Sequence, residues 1–133
     1  MRSVAPSEGT GERASAAVEF ALVLPLVLLM ALALVQVGLL VKDELVLAEA
    51  ARAGARQGAV SADDDQVRQA AIQSAATLDA THLEVTVQRE GGAGTPVVVT
   101  VGYDDDGRIP LVAWLFPPQI HLTTSVVFRQ ETG

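Results

Sequence analysis

From Phe20 to Val41 the chain runs 22 residues without a charge, and 19 of them are apolar; Pro25, Gln36 and Gly38 are the exceptions. No period splits this run into an apolar and a polar face, so it predicts a helix that is apolar all round. At ~1.5 Å per residue such a helix is ~33 Å long, close to the ~30 Å hydrocarbon thickness of a bilayer. The pattern therefore predicts one transmembrane helix with its core at residues 20–41. A buried core helix is the first alternative, but it needs a much larger protein around it. A cleaved signal peptide is the second, with Ala48-Glu49-Ala50 as the cleavage sequence. Against it, the run exceeds the ~7–15 residues of a signal h-region, and Lys42-Asp43-Glu44 intervenes. Pro25 lies near the start of the run, where a helix tolerates it best. Gln36 reads either as a polar side chain tolerated near the interface or as an interhelical hydrogen bond.

Beyond the span the pattern changes twice. Lys42 to about Val60 continues the helix, with Ala48, Ala50, Ala51, Gly54, Ala55 and Gly58 on neighbouring stripes. Small stripes predict close approach of another helix, which makes Ala50, Gly54 and Gly58 candidate packing positions. Arg52 and Arg56 are i,i+4 and share one face, read either as solvated or headgroup-facing charges or as subunit contacts. Ser61 and Asp64 have capping-box-like spacing, and a second helix is expected to about Thr77 or Ala80, with Val67, Ala71, Ser74 and Leu78 along one stripe.

From His82 the period becomes two. Leu83, Val85 and Val87 alternate with Glu84, Thr86 and Gln88, and Val97, Val99 and Val101 with Val98, Thr100 and Gly102. The glycine-rich stretch between them predicts a hairpin, and a last strand is expected from about Ile120 to Arg129. Leu111 to Phe116 lies between prolines and is too short to span a membrane. It reads as a short helix or an apolar loop over the sheet, with Trp114 and Phe116 either in the core or at the membrane interface. The fold class is α+β, with a tail at residues 1–14 (disordered over 1–13), a long helix at 15–60, and a small α+β domain at 61–133 that includes a three-stranded antiparallel sheet.

Composition narrows the function classes. In 133 residues there is room for a span and one small domain, so an ordinary soluble enzyme is disfavoured. The formal charge is −7 and the nine basic residues are scattered, so the chain lacks the basic stripe of a nucleic-acid binder. Cysteine is absent, and His82 and His121 are the only histidines, so thiolate and histidine-rich metal sites lack material. No nucleophile motif is present, and the expectation is no catalysis, no metal and no cofactor. Asp104-x-Asp106-Gly107 faintly resembles a calcium loop, but Gly102 stands where the first Asp belongs, and a solvated turn is expected. Charge counting leaves the orientation open: Arg2 and Arg13 precede the run, and Lys42, Arg52 and Arg56 follow it.

The stretch Arg13-Ala14-Ser15-Ala16-Ala17-Val18-Glu19-Phe20, leading into an apolar helix with Pro25, resembles the TadE-like family of tight-adherence pilus-assembly pseudopilins, and type IV pilin signals more broadly. Ala50-Ala51-Arg52-Ala53-Gly54-Ala55-Arg56 is similar to that family's second signature, and Leu122 to Arg129 to its closing strand. The resemblance implies a prepilin peptidase that cuts between Ala14 and Ser15, which puts Glu19 at the fifth position of the mature chain. Ala14 stands where the family usually has Gly. By the same resemblance Glu19, beside Phe20, pairs with the free amino group of a neighbouring subunit. It further implies that residues 1–14 are cytoplasmic and residues 43–133 extracytoplasmic. The implied partners are the membrane, other pilin or pseudopilin subunits and the pilus-assembly or secretion machinery, in a system linked to cell adhesion. The competing expectation, motivated by the acidic turns, is a single-span anchored binding module unrelated to pili.

Overall fold

The computed structural model of the chain describes residues 9–105 and 109–131, with only the backbone of Thr10. Helix α1 covers Gly9–Val60 and α2 covers Asp64–Ser74. Three strands follow, β1 Leu83–Arg89, β2 Pro96–Asp105 and β3 Ile120–Arg129, with short 3-10 turns at Ala80–His82 and Ala113–Leu115. The sheet is antiparallel in the order β1-β2-β3, so the α+β architecture expected from the changes of period is the one observed.

Helix α1 is a single element of 52 residues, about 78 Å at ~1.5 Å per residue. It passes through Pro25, which has no N–H to offer the carbonyl four residues back. It also begins earlier than expected: residues 9–13 are helical, not an irregular tail, with Glu12 favourably placed in the first turn. Residues 1–8 of the expected leader lie outside the described residues.

The two halves of α1 differ sharply in cover. In the first, Phe20 is 66% exposed and Leu22 75%. In the second, Leu47, Ala50, Ala51 and Ala55 are fully buried under the sheet and α2. Added Cβ atoms locate that packing: at Gly54 one would lie 3.0 Å from Val99 Cγ1 and 3.2 Å from Ala71 Cβ, and at Gly58 3.1 Å from Val97 Cγ1. Helix and strand therefore approach closely and run antiparallel, Gly58 against Val97 and Gly54 against Val99.

Strand register sorts the sheet into two faces. Leu83, Tyr103 and Leu122 align, as do Val85, Val101 and Thr124, and Val87, Val99 and Val126, all toward the helices. Burying each of Val97, Val99, Val101 and Val67 contributes about 1.5–3 kcal/mol. The opposite face carries Glu84, Thr86, Thr100, Thr123 and Ser125 and is largely open to solvent. Gly94, with φ +86, makes the tight return between β1 and β2, and its N–H donates to the Gln130 carbonyl at 2.7 Å.

Three boundaries differ from expectation. The N-cap of α2 is Asp63, whose carboxylate accepts the Asp65 N–H at 2.9 Å, while Ser61 Oγ accepts the Asp63 N–H one step earlier at 3.2 Å. Asp63 is the better cap because it sits two residues from the donor with extended backbone. Helix α2 stops at Ser74, because Ala75 leaves helical geometry and the turn that follows buries Leu78. Strand β2 runs on to Asp105, paired with Ile120, where a turn from Asp104 was expected.

Candidate assembly site

Ala14, Ser15, Glu19 and Phe20 all lie on the bare half of α1 and are exposed. The Ser15 hydroxyl donates to Glu19 Oε1 at 3.4 Å, one helical turn away. The Ala14–Ser15 peptide lies inside the helix, five residues from its start. A peptidase that needs an extended substrate must first unwind the turns from Gly9 to Ser15. The described side chains of these turns are exposed, and helix ends fray readily, so the opening is local.

Ala50, Gly54 and Gly58 sit elsewhere. All three are buried, with Gly54 and Gly58 against Val99, Ala71, Val97 and Val67 of the same chain. The close approach that small residues permit is thus already taken up by the chain's own sheet and α2. Arg52 and Arg56 lie on the solvent side of this helix. Arg52 pairs with Glu49 at 3.2 Å, i,i+3 on an exposed face, an arrangement worth little on its own.

Arg89, which pattern reading passed over, organises the far end of the domain. Its Nε donates to Asp64 Oδ1 at 2.7 Å, and its Nη atoms donate to the carbonyls of Gly58 at 3.2 Å and Ser61 at 2.9 Å. Nη1 also reaches Gln130 Oε1 at 3.3 Å. One guanidinium thereby satisfies carbonyls at the C-terminus of α1, favourable to its dipole, and neutralises the first turn of α2. The sequence signal was present: Arg89 continues the inward parity of Leu83, Val85 and Val87.

On the open sheet face, His121 Nδ1 and Asp104 Oδ1 are 2.6 Å apart, and the Thr100 and Ser125 hydroxyls 2.8 Å. The imidazole lies over Gly102, whose added Cβ would meet Cε1 at 3.5 Å. The calcium-like turn expected at Asp104 falls partly on Asp106 and Gly107, which lie outside the described residues. Asp104 faces His121, and Asp105 is buried. Among the described residues no three His, Asp or Glu side chains gather in a metal-binding group. Asp79 is held below the usual carboxylate range, first by the Thr81 hydroxyl and then by the Thr81 N–H, donating at 2.7 and 2.9 Å.

Comparison with known proteins locates one relationship. Residues 14–56 match the family model of TadE-like protein. No curated protein and no solved structure matches the chain. The match begins at Ala14, covers the whole uncharged run and ends at Arg56, so the strand Leu122 to Arg129 falls outside it. Helix α1 is long and apolar enough to cross a membrane once. Over residues 14–56 the chain carries the TadE-like segment suggested by its Glu19-Phe20 and Arg52-to-Arg56 elements, and that family points to a component associated with the tight-adherence (Tad) pilus.

Proposed function

We propose that the chain is a pseudopilin-like assembly component of the tight-adherence pilus or a related secretion machine, anchored by one span over residues 20–41. The supporting observation is the extent of the TadE-like match: residues 14–56 take in the bare apolar part of α1 and continue into its packed part. A helix half with that much uncovered apolar surface is placed in lipid or against other helices, since water would penalise every exposed Leu and Val. In this account the N-terminus is cytoplasmic and the α+β domain extracytoplasmic, and the protein acts by assembly without a catalytic step.

Processing between Ala14 and Ser15 turns Ser15 into a free amine at the helix start. Glu19 then lies at the edge of the apolar run, where it accepts from the Ser15 hydroxyl of its own chain. A carboxylate entering a low-dielectric zone is costly unless paired, and a neighbouring subunit's amine supplies the partner and fixes register. N-terminal sequencing of protein extracted from membranes tests this: Ser15 is expected first, and an intact Met1 removes processing while leaving the anchor. Deletion of the gene is expected to abolish piliation.

A second reading, an anchored binding module, draws on the open polar sheet face with His121 and Asp104. It differs in one outcome: the binding module keeps its activity in cells that lack every other pilus component.

A further inference from the structure

Because Gly58 lies against Val97 and Gly54 against Val99, β2 advances toward the apolar end of α1 as it runs from Pro96 to Asp105. The strand ends Asp105 and Ile120, which pair in the sheet and bound the connection, therefore lie on the side of the uncharged run. From Ile109 to Gln119 this connection contains no charged residue. Val112 is buried, but Leu111 is 67% exposed, Trp114 72% and Leu115 49%. The Trp114 indole N–H donates to the Leu111 carbonyl at 3.1 Å, so the ring presents no unsatisfied donor. Where α1 leaves the apolar run it is covered on one stripe: Gln36 is 2% exposed and Asp43 fully buried, whereas Val35, Val37 and Val41 are open. Gln36 lies about 9 Å along the axis from Lys42, the first charge after the apolar run.

We propose that residues 109–118 form a second membrane contact, an apolar hook that enters the interfacial layer of the bilayer crossed by α1. The inference rests on the membrane-spanning role proposed for α1. Lipid is the occupant for three reasons. The hook stands at the end of the domain where the span enters it. It carries no charge that lipid would reject. Its most exposed large apolar side chain is a tryptophan with its N–H internally satisfied, the residue type best suited to the headgroup boundary. Two attachments, helix and hook, then restrict how the domain tilts and turns about α1.

Trp114 is the only tryptophan, and there is no cysteine, so both contacts can be probed in the full chain. The protein, labelled with an environment-sensitive dye at Leu28→Cys, is reconstituted in phosphatidylcholine vesicles brominated either near the headgroup or near the bilayer centre. Trp114 emission is expected to be blue-shifted, quenched most by the shallow bromines and insensitive to iodide supplied on both sides, while the Leu28 probe is quenched most by the deep ones. The double variant Leu111→Ser/Leu115→Ser is expected to red-shift Trp114 and remove its bromine quenching, with the Leu28 probe unchanged. Trp114 quenched by iodide and not by bromine, with the Leu28 probe in lipid, overturns the hook and leaves the span standing. Trp114 protected from both quenchers means a protein surface covers it, which also overturns the proposal. A Leu28 probe in water refutes the span and the hook together.

Discussion

Replacing Gly54 distinguishes internal from intermolecular use of the small-residue stripe. In Gly54→Ala the new methyl lies 3.0 Å from Val99 Cγ1 and 3.2 Å from Ala71 Cβ. Carbon pairs rest at about 3.5–4.0 Å, so β2 or α2 has to retreat by roughly half an ångström. Overpacking of this kind costs about 1–3 kcal/mol. Better helix propensity returns about 1 kcal/mol, which leaves a net loss of about 0–2 kcal/mol. Gly54→Val adds two further methyls and loses the propensity gain, so its loss is about 2–4 kcal/mol. For a domain of this size 1 kcal/mol shifts Tm by about 4–8 °C, so Val is expected to lower Tm well beyond measurement error. The assay is thermal unfolding of the full chain in detergent, followed by the near-ultraviolet signal of the buried Tyr103. Val99→Ala, which removes the clashing methyl, is expected to restore part of the loss in the double variant. A Gly54→Val protein as stable as the parent, yet unable to support piliation, would refute internal packing and return the stripe to a neighbouring subunit.

Arg89 and Asp79 carry the remaining predictions. Arg89→Met keeps the apolar stem but leaves two carbonyls and Asp64 without their donor; because water reaches Asp64, the expected loss is toward the low end, about 2–3 kcal/mol by chemical denaturation. Arg89→Lys, a point donor without the fork, is expected to recover less than half of it. Asp79 has a lowered folded pKa, so its contribution to the turn at Ala80–His82 is present above the ordinary carboxylate value and is lost as pH falls through the lowered one. Carbon-13 titration of its carboxyl is expected to show the lowered midpoint, and Thr81→Val to bring it part of the way back; an ordinary midpoint in the parent contradicts the assignment.

Much of the architecture was legible because it rests on periodicity. The uncharged run from Phe20 to Val41 and the period-two alternation around Val85 and Val99 each carry their own signal, since burial on all sides or on one side must appear in the residues. The Glu19-Phe20 and Arg52-to-Arg56 elements were legible as a family pattern, which the match over residues 14–56 reproduces. What escaped depends on tertiary context. Gly54 and Gly58 announce a close approach but not what approaches, and only the fold shows Val99, Val97 and Ala71 there. Arg89 continues an inward-facing parity, yet its role depends on carbonyls at Gly58 and Ser61, far away in sequence. The end of α2 at Ser74 is set by the burial of Leu78, and Ala-rich sequence gives no local reason to stop.

The central claim is that the bare half of α1 is an assembly surface while the packed half is internal. Photo-crosslinking in piliated cells tests it most directly, with a photoreactive residue at Phe20 and, in a separate strain, at Val99. The account predicts adducts from Phe20 to other pilin-like subunits, lost in the Glu19→Ala background, and only intrachain adducts from Val99. Phe20 adducts to lipid alone, unchanged by Glu19→Ala, would contradict assembly and leave a membrane anchor.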